Sequence, residues 1–136
     1  MKKMFKRFIL FAGLMSSIQS FAGADGYFCT ILEIQELGTS GKFTTHKGVF
    51  SQLIGESFSI DRTTGKVIGL PFSNESYKEI RGFDHGSTEN GYKHIAISHP
   101  PNIWIQYVYV AEHEKKPEKP FWGTDDGNKI FSGICK

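Results

Sequence analysis

Three residues have the types and spacing that could support catalysis or metal binding. Asp84 and His85 are adjacent, and His94 follows after a run rich in Gly, Ser and Asn. If that run is a hairpin turn, it brings the Asp-His pair opposite His94, and such a cluster can bind a metal ion or transfer protons. The simpler alternative is a turn in which Asp84 accepts backbone hydrogen bonds and the histidines are exposed. We prefer the turn, because the sequence contains no His-Glu-x-x-His, Gly-x-Ser-x-Gly, phosphate-loop or dinucleotide-binding motif.

The other polar motifs are also explained by turns. Residues 125–128, Asp-Asp-Gly-Asn, resemble part of a calcium loop, but the ligand spacing and the distant glutamate of such a loop are missing. Asp61 begins a segment that ends at Gly65, and an aspartate in this place accepts hydrogen bonds from the backbone just ahead of it. The sequence therefore predicts no cofactor, no metal ion and no catalytic residue.

Aromatic side chains supply the remaining candidate site. The candidate residues are Trp104, Tyr107, Tyr109 and Trp122, with Tyr92 as a further member. Tyr and Trp are favoured on surfaces that are half apolar and half wet and that a partner covers. The same residues also suit a barrel that holds a small apolar ligand, in which Ile103, Ile105, Tyr107 and Tyr109 would face the lumen. The sequence leaves both alternatives, binding surface and lumen, open.

The first 24 residues have the features of a bacterial signal peptide. Four basic residues among the first seven precede an apolar run over residues 8–18, and Ala-Gly-Ala at 22–24 supplies the small residues that a signal peptidase recognises. The apolar run is too short to remain as a membrane anchor. We expect residues 1–24 to be removed, with cleavage after Ala22 as the close alternative, and residues 25–136 to be exported to the periplasm or the medium.

The net charge argues against nucleic acid and anionic membranes as partners. The whole chain has 16 Lys and Arg against 14 Asp and Glu, a formal net charge of +2. Four of the cations lie in the leader, which leaves 12 cations, 14 anions and a net charge of −2 in the exported part. Such a domain lacks the basic surface that nucleic acid requires.

The exported part has the size of one domain, and its two cysteines suggest a disulfide. It contains 112 residues, enough for a single hydrophobic core. Cys29 and Cys135 lie near its two ends, and an even pair of cysteines in an exported protein is normally oxidised. We expect one bond that joins the first strand to the last and stabilises the fold by about 4–5 kcal/mol.

Short apolar runs separated by turn residues predict an all-β domain. The predicted strands lie at residues 27–34, 43–45, 77–83, 92–98, 103–110 and 121–122, in a hairpin over residues 56–69, and at residues 129–135. Residues 49–54 fit either a strand or one or two helical turns, and residues 103–110 form the longest strand. Seven or eight strands with frequent turns are typical of a single antiparallel meander, closed as a small barrel or folded as a sandwich.

The order of turn motifs resembles that of a family of small exported proteobacterial proteins. The matching motifs are Phe58-x-Ile60-Asp61-Arg62-x-Thr64-Gly65-x-x-x-Gly69, Gly86-Ser87-Thr88-Glu89-Asn90, Lys119-Pro120-Phe121 and Gly133-x-Cys135. They cover about two thirds of the exported part. The resemblance implies a small β protein in the periplasm or the medium, and it brings no catalytic residue.

Three functions are compatible with these observations. The first is a non-enzymatic module that binds an envelope or secreted protein, as an inhibitor, an immunity-type protein or an adaptor. The second is a barrel for a small ligand, and the third is a secreted hydrolase or metal-dependent enzyme that uses Asp84, His85 and His94. We favour the first, because export, small size and many aromatic residues suit binding, and the sequence shows no catalytic constellation.

Overall fold

A computed structural model describes residues 26–83, 91–125 and 127–136 of the chain. The predicted leader, Asp84, His85 and Asp126 lie outside the described residues, as does the predicted turn over residues 84–90. In the described part, no helix is both long and apolar enough to cross a membrane.

One antiparallel sheet contains the nine strands of the described residues. They are β1 (Gly26–Leu37), β2 (Phe43–Thr45), β3 (Ser57–Asp61), β4 (Val67–Ile68), β5 (Glu79–Phe83), β6 (Tyr92–Ile97), β7 (Ile105–Val110), β8 (Lys119–Thr124) and β9 (Lys129–Cys135). The order across the sheet is β4-β3-β1-β9-β8-β7-β6-β5, and β2 pairs with β1 beside this path. The eight strands of that path curl into a half-barrel. The predicted all-β, antiparallel fold is confirmed.

The strands from β5 to β9 are neighbours in chain order, whereas β1 lies between β3 and β9. Cys29 of β1 stands directly opposite Cys135 of β9, and the two cysteines form a disulfide across 106 residues of sequence. The predicted bond between the first strand and the last is therefore confirmed. It links the five-stranded meander to β1, which pairs on its other side with β3.

Alternation of side chains separates an inner from an outer face. On β7, Gln106, Val108 and Val110 are buried, and the residues between them point to the other face, because successive side chains of a strand alternate. Among the buried residues of β1, Ile31 and Ile34 are three positions apart instead of two, since the register of β1 against β9 shifts between Ile31 and Glu33. Such a bulge bends the strand and helps the sheet to curl.

Four phenylalanine rings fill the inner face of the half-barrel. Phe72, from the connection between β4 and β5, lies between Phe58 of β3 and Phe131 of β9, with ring centroids 4.9 and 5.4 Å away. Phe121 of β8 meets Phe58 edge to face at 5.2 Å. Aromatic pairs in this geometry stabilise the fold by about 0.5–1.5 kcal/mol each beyond the area they bury. The connection thus contributes a central residue of the core.

The hairpin of β3 and β4 forms as the sequence predicts. The Asp61 carboxylate accepts hydrogen bonds from the backbone amides of Thr63 and Thr64, both at 2.9 Å, and these bonds lower the pKa of Asp61. Gly65, which ends the turn, takes a positive φ of +74°. Asn74 then fixes the hairpin to the next connection, because its side chain bonds the backbone of both Val67 and Gly65.

Three details differ from, or decide between, the sequence-based expectations. Residues 49–53 form a 3₁₀-helix rather than a strand. The strand predicted at residues 103–110 begins only at Ile105 and has six residues, whereas β1 has 12 and is the longest. β7 is shorter than predicted because Trp104 belongs to the preceding loop, which is closed by a hydrogen bond from the Ser98 amide to the Trp104 carbonyl. On β6, Ile95 and Ile97 share one face, and the opposite face is the fully buried one.

Candidate binding surface

Three of the four predicted aromatic residues meet on the outer face of the half-barrel. Tyr109 of β7 stands directly opposite Trp122 of β8, and paired residues of an antiparallel ladder share a face. Tyr107 lies two residues along the same face. The ring centroids of Tyr107 and Trp122 are 5.1 Å apart, and those of Tyr109 and Trp122 are 6.4 Å apart. We call Tyr107, Tyr109 and Trp122 the outer aromatic surface.

Neighbouring strands extend this surface with apolar residues and a cation. Lys93 of β6 faces Tyr109, and its ammonium lies 6.0 Å from the centre of the Tyr109 ring. Phe83 of the edge strand β5 is opposite Lys93. Ile105 continues the face of Tyr107 along β7 and is 48% exposed. The outer aromatic surface is therefore bordered by Lys93, with Phe83 beyond it on β5, and by Ile105 along β7.

These side chains keep part of their apolar area exposed to solvent. Trp122 is 42% exposed and Phe83 38%, although burying apolar surface is worth about 25 cal/mol per Å². Burial and the neighbouring Tyr109 raise the pKa of the Tyr107 hydroxyl, so that ring is already partly shielded from water. Continuous apolar areas with a polar edge are typical of interaction sites on soluble proteins.

Trp104, the fourth predicted residue, lies in a different place. It precedes β7, is 50% exposed, and lines a cleft of about 380 Å³ together with Tyr77 and the loop at residues 98–102. The structure thus separates the four candidates into an outer aromatic surface of three residues and a cleft that contains Trp104.

The structure does not support a lumen lined by Ile103, Ile105, Tyr107 and Tyr109. Ile103 and Ile105 are exposed, and Tyr107 and Tyr109 alternate with the buried residues of β7. The inner positions of that strand are taken by Gln106, Val108 and Val110. The strand has the opposite orientation to the one that the lumen alternative requires, and Gln106 finds a polar partner inside the half-barrel.

That partner is His94, which was a candidate for acid–base or metal chemistry. His94 has no exposed surface. Its Nε2 donates to Oε1 of Gln106 at 3.2 Å, and burial lowers the pKa of the imidazole to about 4. Nδ1 has no hydrogen-bond partner among the described residues. A neutral, fully buried imidazole cannot contact a substrate in solvent, so His94 is a core residue in this structure.

Two polar clusters in the structure were not predicted from the sequence. In the first, Glu112 accepts a hydrogen bond from the Tyr27 hydroxyl and pairs with Arg62 at 2.7 Å, and the Arg62 guanidinium lies 5.1 Å from the centre of the Tyr27 ring. Burial raises the pKa of Glu112, and Lys119 partly opposes this effect. The three residues come from distant parts of the chain, so no local sequence pattern predicts that they meet.

In the second cluster, His46 Nδ1 lies 2.7 Å from a Glu36 carboxylate oxygen. The hydrogen bond from His46, followed by one from Asn128, lowers the pKa of Glu36. The other ring nitrogen of His46 is buried without a partner among the described residues and packs against Gly48. A substrate would not reach that nitrogen. We interpret the His46–Glu36 pair as a structural contact that joins β1 to the segment after β2.

No set of three or more His, Cys, Asp or Glu side chains in the described ranges is placed to hold a metal ion. Comparison of the chain with protein-family models, with curated proteins and with solved structures finds no match. The geometry of the chain itself is therefore the basis for a function.

Proposed function

We propose that this protein is a non-enzymatic binding module that engages another protein of the bacterial envelope or medium through the outer aromatic surface. The observation that carries the proposal is the contact of Tyr107, Tyr109 and Trp122 on the outer face of β7 and β8. Aromatic residues of this kind are enriched at the centres of protein interfaces, where they supply most of the binding energy.

The position of the surface supports a role in binding rather than in folding. The phenylalanine core occupies the inner face, and the outer aromatic surface lies on the other side of the same strands. A rigid antiparallel sheet holds the three rings, so little side-chain and backbone freedom is lost when a partner covers them.

The edge of the surface indicates the chemistry of the partner. Lys93 lies beside Tyr109, and Phe83 and Ile105 add exposed apolar area. A matching partner surface presents apolar side chains at its centre and a carboxylate opposite Lys93, because complementary charge at the rim of an interface favours encounter and fixes orientation.

Site-specific crosslinking in the native cell tests the proposal. A photoreactive phenylalanine analogue replaces Tyr109 in one variant and Phe43, an exposed aromatic residue of β2, in a control. We expect a discrete protein adduct from position 109 that position 43 does not give and that Trp122→Ala abolishes. Absence of an adduct at 109, or the same adduct at 43, would contradict the proposal.

A further inference from the structure

An open cleft whose lining includes two aromatic residues lies apart from the outer aromatic surface. It is formed where the connection between β4 and β5 meets the loop between β6 and β7. Tyr77 and Ser76 line it on one side, and His99, Asn102 and Trp104 on the other. Its volume of about 380 Å³ falls in the range of about 300–1,000 Å³ that is usual for small-molecule sites.

The wall that carries Tyr77 is anchored in the core. The Tyr77 amide donates to the carbonyl of Asn74 at 3.0 Å. Asn74 is fully buried and its side chain bonds the backbone of Val67 and Gly65. Phe72 of the same connection is packed among the rings of the core. This wall is therefore held in place before any ligand arrives.

The wall that carries Trp104 is fixed by a single serine. Ser98 Oγ accepts a hydrogen bond from the Trp104 amide and donates one to the carbonyl of Asn102, both at 2.7 Å. The Ser98 amide also donates to the Trp104 carbonyl at 3.0 Å. These three bonds close the loop over residues 98–104 on itself. Because both sides of the cleft are ordered before binding, less conformational entropy is lost when a ligand binds.

The chemistry of the lining selects the ligand. Tyr77 and Trp104 contribute aromatic side chains to the lining, while Ser76, His99 and Asn102 contribute hydroxyl, imidazole and amide groups. None of the side chains that line the cleft in the described part of the chain is a Lys, Arg, Asp or Glu. A charged ligand would lose its hydration without gaining an ion pair. The lining suits a neutral ring that has apolar faces and hydroxyl groups around its edge.

We propose that this cleft binds a neutral carbohydrate, with one sugar ring against the Trp104 indole and the side chains of Ser76, His99 and Asn102 at its hydroxyl groups. The aromatic ring supplies area burial on the apolar face of the sugar, and the polar groups orient it. The site is independent of the outer aromatic surface, and its partner is a glycan rather than a protein.

The two tryptophans of the chain allow a direct test by fluorescence. The full chain is exported, purified in its oxidised form and prepared as Trp122→Phe, which leaves Trp104 as the reporter, and as Trp104→Phe, which leaves Trp122. Each variant is titrated with three neutral sugars, namely the tetramer of N-acetylglucosamine, cellotetraose and maltotetraose. We expect at least one sugar to change the emission of Trp104 in a saturable way at micromolar to millimolar concentration, and to leave that of Trp122 unchanged.

Further variants separate loss of binding from loss of fold. Asn102→Ala and Tyr77→Ala in the Trp122→Phe background should each weaken binding at least tenfold, while Phe43→Ala leaves it unchanged, and circular dichroism verifies the fold of every variant. The proposal fails if none of the three sugars changes Trp104 emission at millimolar concentration. It also fails if Trp122 responds equally, or if a sulfated tetrasaccharide binds more tightly than the neutral ones with an affinity that falls as salt is added.

Discussion

Gly65 and Gly82 lie so close that a β-carbon on Gly65 would stand 2.9 Å from the backbone nitrogen of Gly82. Gly65 is at the end of the turn between β3 and β4, and Gly82 is in β5, the strand at the other edge of the sheet. The hairpin therefore reaches the opposite edge of the half-barrel, and the open side is covered by backbone contact. A covered edge also protects β5 from pairing with another chain.

Replacing Gly65 by alanine should destabilise the fold more than the same change at Gly41. Both residues have a positive φ, +74° and +76°, so each substitution carries the left-handed strain of about 1–2 kcal/mol. A β-carbon at Gly41 meets nothing within 4 Å, whereas one at Gly65 meets the backbone of β5. Urea unfolding of Gly65→Ala and Gly41→Ala measures the difference, and equal losses would show that the contact between the hairpin and β5 contributes nothing.

Removing the disulfide should lower the free energy of unfolding by about 3–5 kcal/mol, because the bond closes a long loop and restricts the unfolded chain. The variant is Cys29→Ser with Cys135→Ser, and the loop spans 106 residues. Denaturant unfolding with and without a reducing agent checks the value. The reductant should destabilise the native protein and leave the double variant unaffected; a response from the double variant would assign the effect to something other than this bond.

His94 should make the protein less stable as the pH falls from about 6.5 to about 4. Burial lowers the pKa of the folded imidazole to about 4, while the unfolded chain binds a proton near pH 6.5. The stability that the neutral histidine contributes is thus fully present above pH 6.5 and is lost towards pH 4, by up to roughly 3 kcal/mol.

Unfolding free energies measured across this pH range in two variants test the prediction. His94→Gln should flatten the dependence on pH, because the titrating group is gone. His113→Gln replaces an exposed histidine and should retain the native dependence. If His94→Gln keeps the full native slope, the acid sensitivity does not originate from the buried imidazole.

Glu112→Ala should cost about 1–3 kcal/mol of stability, since it removes a shielded carboxylate that pairs with a guanidinium and accepts a hydroxyl. The side chains of Glu112 and its partner Arg62 are only 12% and 23% exposed. Glu75→Ala is the control, because its pair with Lys66 is open to solvent and should contribute about 0–1 kcal/mol. Thermal unfolding of both variants measures the two losses of stability. Equal losses would contradict a stabilising role of the shielded pair.

Substitutions on the outer aromatic surface should affect binding more than folding. Trp122→Ala and Tyr109→Ala each remove an exposed or half-buried ring from the outer face, so we expect partner affinity to fall by about 2 kcal/mol or more, as at the central residues of an interface. The melting temperature should change little. Surface plasmon resonance with the crosslinked partner measures the affinity, and Phe43→Ala should bind as the native protein does.

Local signals made much of the fold predictable. The turn after β3 follows from one aspartate and one glycine, whose hydrogen bonds and positive φ are visible in Asp61 and Gly65. The disulfide follows from the number of cysteines and the expectation of export. In both cases a few residues carry the information, so no knowledge of distant contacts is needed.

The orientation of β7 was not predictable in the same way. Both of its faces are rich in apolar or aromatic residues, and its inward face contains Gln106, which a pattern of hydrophobicity would place outside. Gln106 can be buried because His94 of the neighbouring strand forms a hydrogen bond with its side chain. That choice depends on a pairing between strands, as does the cleft between Tyr77 and Trp104, and neither pairing can be read from one segment.

The bond between β1 and β9 also determines how the protein responds to mechanical force. Tension applied to the chain on either side of the Cys29–Cys135 loop passes through the sulfur–sulfur link and does not reach the residues between. The backbone pairings that carry the load are those outside the bond, between Phe28 and Lys136 and between residues 26–28 and β3. Opposed tension on the two ends therefore cannot extend the chain between the cysteines until the bond is reduced, whereas a pull on an internal loop can.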